Sequence, residues 1–193
     1  MIKYENIKDY IHLEKEFIPK DLCVDIIQQI EKNQWSPHQW HSPISNNARS
    51  EETMELDVQT ASPELNQVLT PYVIQAGAIY NSKFAYLDIP RMCQIMNKFC
   101  NIRFNRYSKG QIMREHFDHI HSIFDGNEKG IPVLSFILNF NDDYTGGELV
   151  FWGDQAVKLG CGDIIMFPSN FMYPHQVKEV TVGKRYSAVT WAW

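Results

Sequence analysis

From residue 99 onward the sequence is cut into short runs of β-branched and aromatic residues, each closed by a turn signal. The runs lie near 101–107, 112–118, 132–140, 147–152, 156–159, 163–167, 173–178 and 184–193. The breaks are Ser108-Lys109-Gly110, Asp125-Gly126-Asn127, Asn141-Asp142-Asp143, Gly146-Gly147, Gly153-Asp154, Gly160-Cys161-Gly162 and Val182-Gly183. About eight short strands at this spacing predict a sandwich or a jelly roll.

Residues 1–98 have a different period, mixed but dominated by helix. Cys23, Ile26, Ile27 and Ile30 fall at helical spacing in 21–30, with acidic residues early. Ser62-Pro63-Glu64 starts a second helix with a cap residue, a proline at the first position and an acid. Leu65, Leu69, Val73 and Ile74 continue its apolar stripe, and the helix is expected to run to about Phe84. Between the helices, Trp35 to Ser50 is rich in His, Pro, Ser and Asn and reads as a long loop, often a functional one. Helices first and strands second make the chain α+β, with helices backing one sheet. No repeat, low-complexity tract or linker divides it, so one domain over 1–193 is expected: helical support and a substrate loop over 1–98, a β core over 99–193.

Composition narrows the function classes. The net charge is -5 and no Lys/Arg run exceeds Lys184-Arg185, so no nucleic acid partner is expected. No apolar stretch approaches the roughly 20 residues that span a bilayer. The N-terminus is charged throughout and is not a signal peptide, which points to a cytoplasmic protein. Cys23, Cys93, Cys100 and Cys161 are far apart in sequence, without C-x-x-C spacing; they read as free thiols and argue against a structural zinc site.

His116-Phe117-Asp118 carries the chemistry. Residues two apart in a strand share a face, so His116 and Asp118 can hold one metal while Phe117 turns into the core. His175 can supply a third ligand from a distant strand. Two histidines and a carboxylate on one face of a metal are the facial triad of non-haem Fe(II) oxygenases, with positions left open for a bidentate co-substrate and O2. Zinc hydrolases use the same residue types, so the triad does not choose the metal. Arg185 and Ser187 share a face in the last run, and a guanidinium fork with a hydroxyl is a receptor for a carboxylate. Lys184 faces the opposite way, into solvent. Tyr107 ends the strand before the ligands, where its phenol can bond a co-substrate or simply cap the core.

Together these segments resemble a known family. Tyr107-x2-Gly110, His116-x-Asp118, Gly146-Gly147-Glu148-Leu149, Gly162-Asp163-x3-Phe167-Pro168-Ser169, His175-x-Val177 and Gly183-x-Arg185-Tyr186-Ser187 are similar, in order, to the prolyl 4-hydroxylase-type 2-oxoglutarate/Fe(II) dioxygenases. The match covers residues 100–193, and the first half fits only in outline. The resemblance implies a double-stranded β-helix (jelly-roll) core with N-terminal supporting helices. It implies Fe(II) at His116, Asp118 and His175, 2-oxoglutarate anchored by Arg185 with Tyr107, O2 as second substrate, and ascorbate as a stimulant. It gives no catalytic residue beyond the metal ligands. Trp191 matches a tryptophan near the iron of the oxygen-sensing branch and is assigned to the substrate pocket, though core packing is the simpler role for it. Arg49 matches an Arg-bearing strand of the family. Ile137-Leu138-Asn139 departs from the oxygen-sensing branch, which has a tyrosine before Leu-Asn. Arg185 departs from the collagen-modifying branch, which has lysine there.

On this resemblance the chain hydroxylates an organic substrate, first a prolyl residue in a peptide or protein. A free amino acid or another small molecule, a zinc hydrolase and a non-catalytic metal-binding jelly roll are the alternatives. His119 and His121 are set aside as ligands because the tyrosine-to-histidine spacing of the family places iron at 116 and 118. They open loop 119–130, which with loop 35–50 forms an expected lid over the substrate.

Overall fold

The computed structural model describes residues 6–39, 55–83, 96, 98–118 and 131–193. The first half supplies β1 (His12–Glu14), α1 (Lys20–Ile30), β2 (Ser36–Pro37), β3 (Asp57–Thr60) and α2 (Pro63–Lys83). The second half supplies β4 (Arg103–Tyr107), β5 (Met113–His116), β6 (Leu134–Asn139), β7 (Thr145–Gly146), β8 (Leu149–Phe151), β9 (Gln155–Val157), β10 (Ile164–Pro168), β11 (His175–Val177), β12 (Val180–Val182) and β13 (Arg185–Ala192). The fold is α+β with a jelly-roll core. A larger sheet runs β1-β10-β6-β13-β4-β3-β2, a smaller one runs β5-β11-β8-β9, and β12 pairs with β7.

The two-residue period of the central strands divides the interior into two cores. Leu134, Phe136 and Leu138 of β6, Ile164 and Met166 of β10, and Tyr186, Ala188 and Ala192 of β13 pack against the helices. The residues between them, Ile137, Ile165 and Phe167 among them, pack with Leu149, Phe151 and Val177 of the smaller sheet. Every residue of β6 and β13 is therefore buried, as in a sheet covered on both faces.

The helices follow from their apolar stripes. In α1, Cys23, Ile26 and Ile30 are buried, and Ile27 packs at the edge of the cluster. In α2, the Ser62 hydroxyl accepts from the Leu65 N–H at 3.3 Å, the N-cap bond expected of Ser-Pro-Glu. Leu65, Leu69, Val73, Ala76 and Tyr80 face the sheet, but Ile74 does not: it is 52% exposed, because the stripe turns through Val73 and leaves the next residue about 100° around the helix. Gly77 lets α2 approach closely; a Cβ there would lie 3.2 Å from Met96 Cε and 3.5 Å from Phe136 Cζ.

Two further differences from the sequence reading matter. The first half contributes three short strands to the larger sheet, one of which, Ser36–Pro37, falls in the segment read as a loop. These strands are partly exposed and too short to show alternation. The run 112–118 ends as a strand at His116, so the alternation does not reach Phe117, which is 42% exposed instead of entering the core. Residues 40–54 and 119–130, with Arg49, His119 and His121, lie outside the described residues, so the proposed lid does too. Cys23 and Cys161 are free, and burial pushes the Cys23 thiol up to about 12. No helix among the described residues is long and apolar enough to cross a membrane.

Candidate metal and co-substrate site

His116 ends β5 and His175 opens β11, and the two stand opposite each other in an antiparallel pair. Their ring centroids are 4.4 Å apart. Asp118 lies just past the end of β5, and its Oδ1 is 3.4 Å from His116 Nε2 and 3.8 Å from His175 Nε2. The three donor atoms lie within 4.8 Å of one another, so one cation can touch all three.

Both rings are held the same way. His116 Nδ1 donates to the Arg114 carbonyl at 2.8 Å, and His175 Nδ1 donates to the Tyr173 carbonyl at 3.1 Å. A carbonyl can only accept, so the proton sits on Nδ1 and the Nε2 lone pair faces the cluster. That is the tautomer a metal-binding histidine needs. The other oxygen of Asp118 is occupied: Oδ2 accepts from the buried Ser135 hydroxyl at 2.6 Å, and Ser135 in turn contacts Ser169 Oγ at 2.8 Å. Oδ1 is left toward the histidines. Burial raises the Asp118 carboxyl, but His175, His116 and the Ser135 hydroxyl outweigh it and hold the group well below the usual carboxylate range. Burial pushes His175 down to about 4 against the pull of Asp118. A carboxylate beside neutral imidazole is the charge state that binds a divalent cation.

Arg185 opens β13 opposite Tyr107 and is 1% exposed. Its guanidinium carbon is 5.1 Å from the centre of the Tyr107 ring. Nε donates to Asn139 Oδ1 at 3.2 Å, and the Asn139 amide is itself held by the carbonyls of Asn141 and Gly160. Room for the side chain comes from Gly147, at φ +67, where a Cβ would meet Arg185 Cδ at 3.3 Å and Val180 Cγ2 at 2.9 Å. Arg185 Nη2 and Ser187 Oγ are buried with no partner. Two such atoms, two residues apart on one strand face, mark a place for an acceptor.

These groups share one narrow cavity between the sheets. His116, Asp118, His175, Tyr107, Arg185, Ser187 and Trp191 all line it. Burial raises the Tyr107 phenol, while Arg185 and Arg103 pull it down. Lys184 does face away, with about half its side chain exposed, and sits 3.6 Å from Glu31. Sequence reasoning missed Ser135, Ser169 and Asn139, which steer the residues it found, and Arg103 and Asn105, which line the same cavity. The last two were within reach: they precede Tyr107 by four and two residues, on its face of β4.

Residues 102–193 match the sequence profile of the 2OG-Fe(II) oxygenase superfamily. A PKHD-type hydroxylase of Shewanella oneidensis is 38% identical over 125 residues, covering 63% of this chain and 55% of that protein. The PKHD-type hydroxylase PiuC of Pseudomonas aeruginosa is 38% identical over 94 residues, covering 46% of this chain and 41% of that protein. The chain thus spans about half the length of the curated relatives it matches. Among solved structures, a Pseudomonas putida prolyl-4-hydroxylase aligns with a TM-score of 0.62 at 18% identity, over 95% of this chain and 91% of that one. A prolyl hydroxylase of Trichoplax adhaerens, in complex with a hypoxia inducible factor peptide fragment, aligns with a TM-score of 0.65 at 14% identity, over 95% and 83%. The Fe(II) and 2-oxoglutarate of that superfamily fit what this chain presents: two imidazole lone pairs and a carboxylate oxygen for the metal, and a guanidinium nitrogen and hydroxyl, unpartnered among the described residues, for the acid.

Proposed function

We propose that the chain is a 2-oxoglutarate/Fe(II)-dependent dioxygenase that hydroxylates an organic substrate. The observation that carries this is the shared cavity: His116, Asp118 and His175 at one part of its wall, and the unpartnered Arg185 Nη2 and Ser187 Oγ at another. Bound there, Fe(II) with 2-oxoglutarate and O2 supplies the oxidation that turns a C–H bond into C–OH, with succinate and CO2 as co-products.

The chain's own residues do the positioning. His116 and His175 present Nε2 because the Arg114 and Tyr173 carbonyls hold their Nδ1 protons. Ser135 ties down one Asp118 oxygen and leaves the other for the metal. Arg185, aimed by Asn139, takes the distal carboxylate of the co-substrate with Ser187, and Tyr107 walls the same space.

A prolyl residue in a peptide or protein is the first substrate reading, supported by the fold shared with two prolyl hydroxylases, one of them bound to a peptide. A free amino acid or small molecule is the second, favoured by Arg103 as argued below. Free Cys23 and Cys161 support a reducing, cytoplasmic setting. The test is anaerobic addition of Fe(II) and then 2-oxoglutarate, followed by exposure to O2 with peptide and small-molecule panels. Formation of the coloured chelate, and succinate matched by a +16 Da product, is the expected result. A protein that binds metal but never 2-oxoglutarate is a metal-binding jelly roll and not this enzyme.

A further inference from the structure

A second guanidinium lines the cavity and, among the described residues, has no carboxylate of its own. Arg103 opens β4, on the same strand face as Asn105 and Tyr107. Among the described residues it makes no hydrogen bond or ion pair, and its Nε is buried without a partner. Its guanidinium carbon stands 5.4 Å from the centre of the Trp191 ring. Asn105 Oδ1 and Trp191 Nε1, also on this wall, are buried without partners as well.

Strand register shows which end of the cavity this is. Trp191 stands opposite Ser135, which donates to Asp118. Arg103 stands opposite Val189, and Arg185 stands opposite Tyr107. Arg103 and Trp191 therefore flank the metal-binding end, and Arg185 marks the other.

Charge counting makes Arg103 conspicuous. On the reading proposed above, a divalent metal, the Asp118 carboxylate, dianionic 2-oxoglutarate and the Arg185 cation balance one another. Arg103 is then a surplus cation. A cation drawn partly out of water without a counter-ion is costly. Burial does lower the Arg103 guanidinium from its ordinary value, with Tyr107 and Asp118 pulling the other way. A substrate anion placed there would restore the balance.

We propose that Arg103, with Trp191 and Asn105, binds a carboxylate on the substrate, and that the substrate is an α-amino acid unit with a free carboxylate. The guanidinium fork matches a carboxylate with two parallel hydrogen bonds, and the Trp191 Nε1–H adds a donor. Asn105 Oδ1 is an acceptor suited to the substrate's N–H. A residue in the interior of a peptide offers the N–H without the acid. The free acid and the carboxy-terminal residue of a peptide share this chemistry, and experiment separates them.

This inference rests on the oxygenase reading, so the test begins with the Fe(II)–2-oxoglutarate chelate. The probes, added to the anaerobic loaded enzyme, are the free proteinogenic amino acids, their carboxamides, and proline peptides with proline at the carboxy terminus or inside. The readout is the shift of the chelate's visible absorption. We expect at least one free or carboxy-terminal acid to shift the band, with its amide roughly tenfold to a hundredfold weaker. In Arg103→Gln that acid weakens by a similar factor, Arg103→Lys recovers part of it, and the 2-oxoglutarate midpoint stays within about twofold, which also shows the variant is folded. Amides or internal peptides binding as well as acids, or no acid shifting the band, overturns the proposal. So does a raised 2-oxoglutarate midpoint in Arg103→Gln, which would make Arg103 a co-substrate anchor. A wild-type enzyme that forms no chelate defeats the oxygenase reading itself, and this inference with it.

Discussion

The two faces of the larger sheet are made by alternate residues of the same strands, yet they treat polar atoms in opposite ways. On the helix side, Phe104, Phe136, Leu138, Ile164 and Ala188 pack against Ile26, Ile30, Leu65 and Leu69. The Thr190 hydroxyl, on the same strand parity, is satisfied by the Cys100 carbonyl at 2.8 Å. On the cavity side, Arg103 Nε, Asn105 Oδ1, Arg185 Nη2, Ser187 Oγ and Trp191 Nε1 have no partner. They are five of the seven such atoms among the described residues; the other two belong to the stacked Trp35 and Arg106. Apart from those two, the helix face is finished by the fold, whereas the cavity face presents its unpartnered polar atoms to the space between the sheets. Stability and function are thus separated by a shift of one residue along a strand.

That contrast can be broken most directly at the metal ligands. Asp118→Ala should abolish Fe(II) binding, a loss above about a hundredfold by metal titration, with the helix-side packing and the circular dichroism spectrum retained. Phe136→Ala acts on the opposite face and should cost about 3–5 kcal/mol in urea unfolding, because it opens a cavity in a fully buried cluster. If both variants gave the same stability loss, the two faces would not be separate. Arg185→Met should do the reverse of Phe136→Ala: stability stays level or rises as a half-satisfied buried cation is removed. In the same variant 2-oxoglutarate binding should weaken by about 2–5 kcal/mol, at least roughly thirtyfold. Ser135→Ala is a finer probe. It frees Asp118 Oδ2 and should lower metal affinity by about 10- to 100-fold by calorimetry, with little change in the unfolding midpoint of the metal-free protein.

Acid sharpens the comparison further. His175 has a folded value near 4, below the ordinary histidine value, so the unfolded chain binds the proton that the folded one refuses. Its contribution to stability is complete above about pH 6.5 and is lost as pH falls toward 4. Asp118, held well below the usual carboxylate range, adds loss of the same sign at still lower pH. The metal-free protein should therefore lose stability on acidification, and bound Fe(II) should move the onset to lower pH. His175→Gln should flatten the decline in thermal melts, and an unchanged slope would remove His175 from the account.

Much of this was legible in residue order because strand alternation is a local property. The periods of β6, β10 and β13 state which side chains share a face, and they put Arg185 with Ser187 and Trp191. The stripe in α1 and the cap at Ser62 likewise depend only on near neighbours. What failed needed contacts distant in sequence. β2 and β3 are short, partly exposed segments whose pairing is set by β4, so their alternation carries no signal. Phe117 was expected inside because the strand seemed to continue, but it ends at His116 and Phe117 is exposed. Ile74 satisfies a hydrophobic count and still faces solvent.

By itself the sequence determined the residue types that can bind a metal and an acid, the strand faces they occupy, and the α+β class. Only the tertiary structure decided that His175 stands across from His116, that Ser135 holds one Asp118 oxygen, that Asn139 aims Arg185, and that the buried Arg103 Nε stands beside Trp191 with no anion among the described residues. The physical reason is range. Alternation and capping act over two to four residues, whereas coordination, hydrogen-bond satisfaction and burial of charge depend on which strands the sheets bring together.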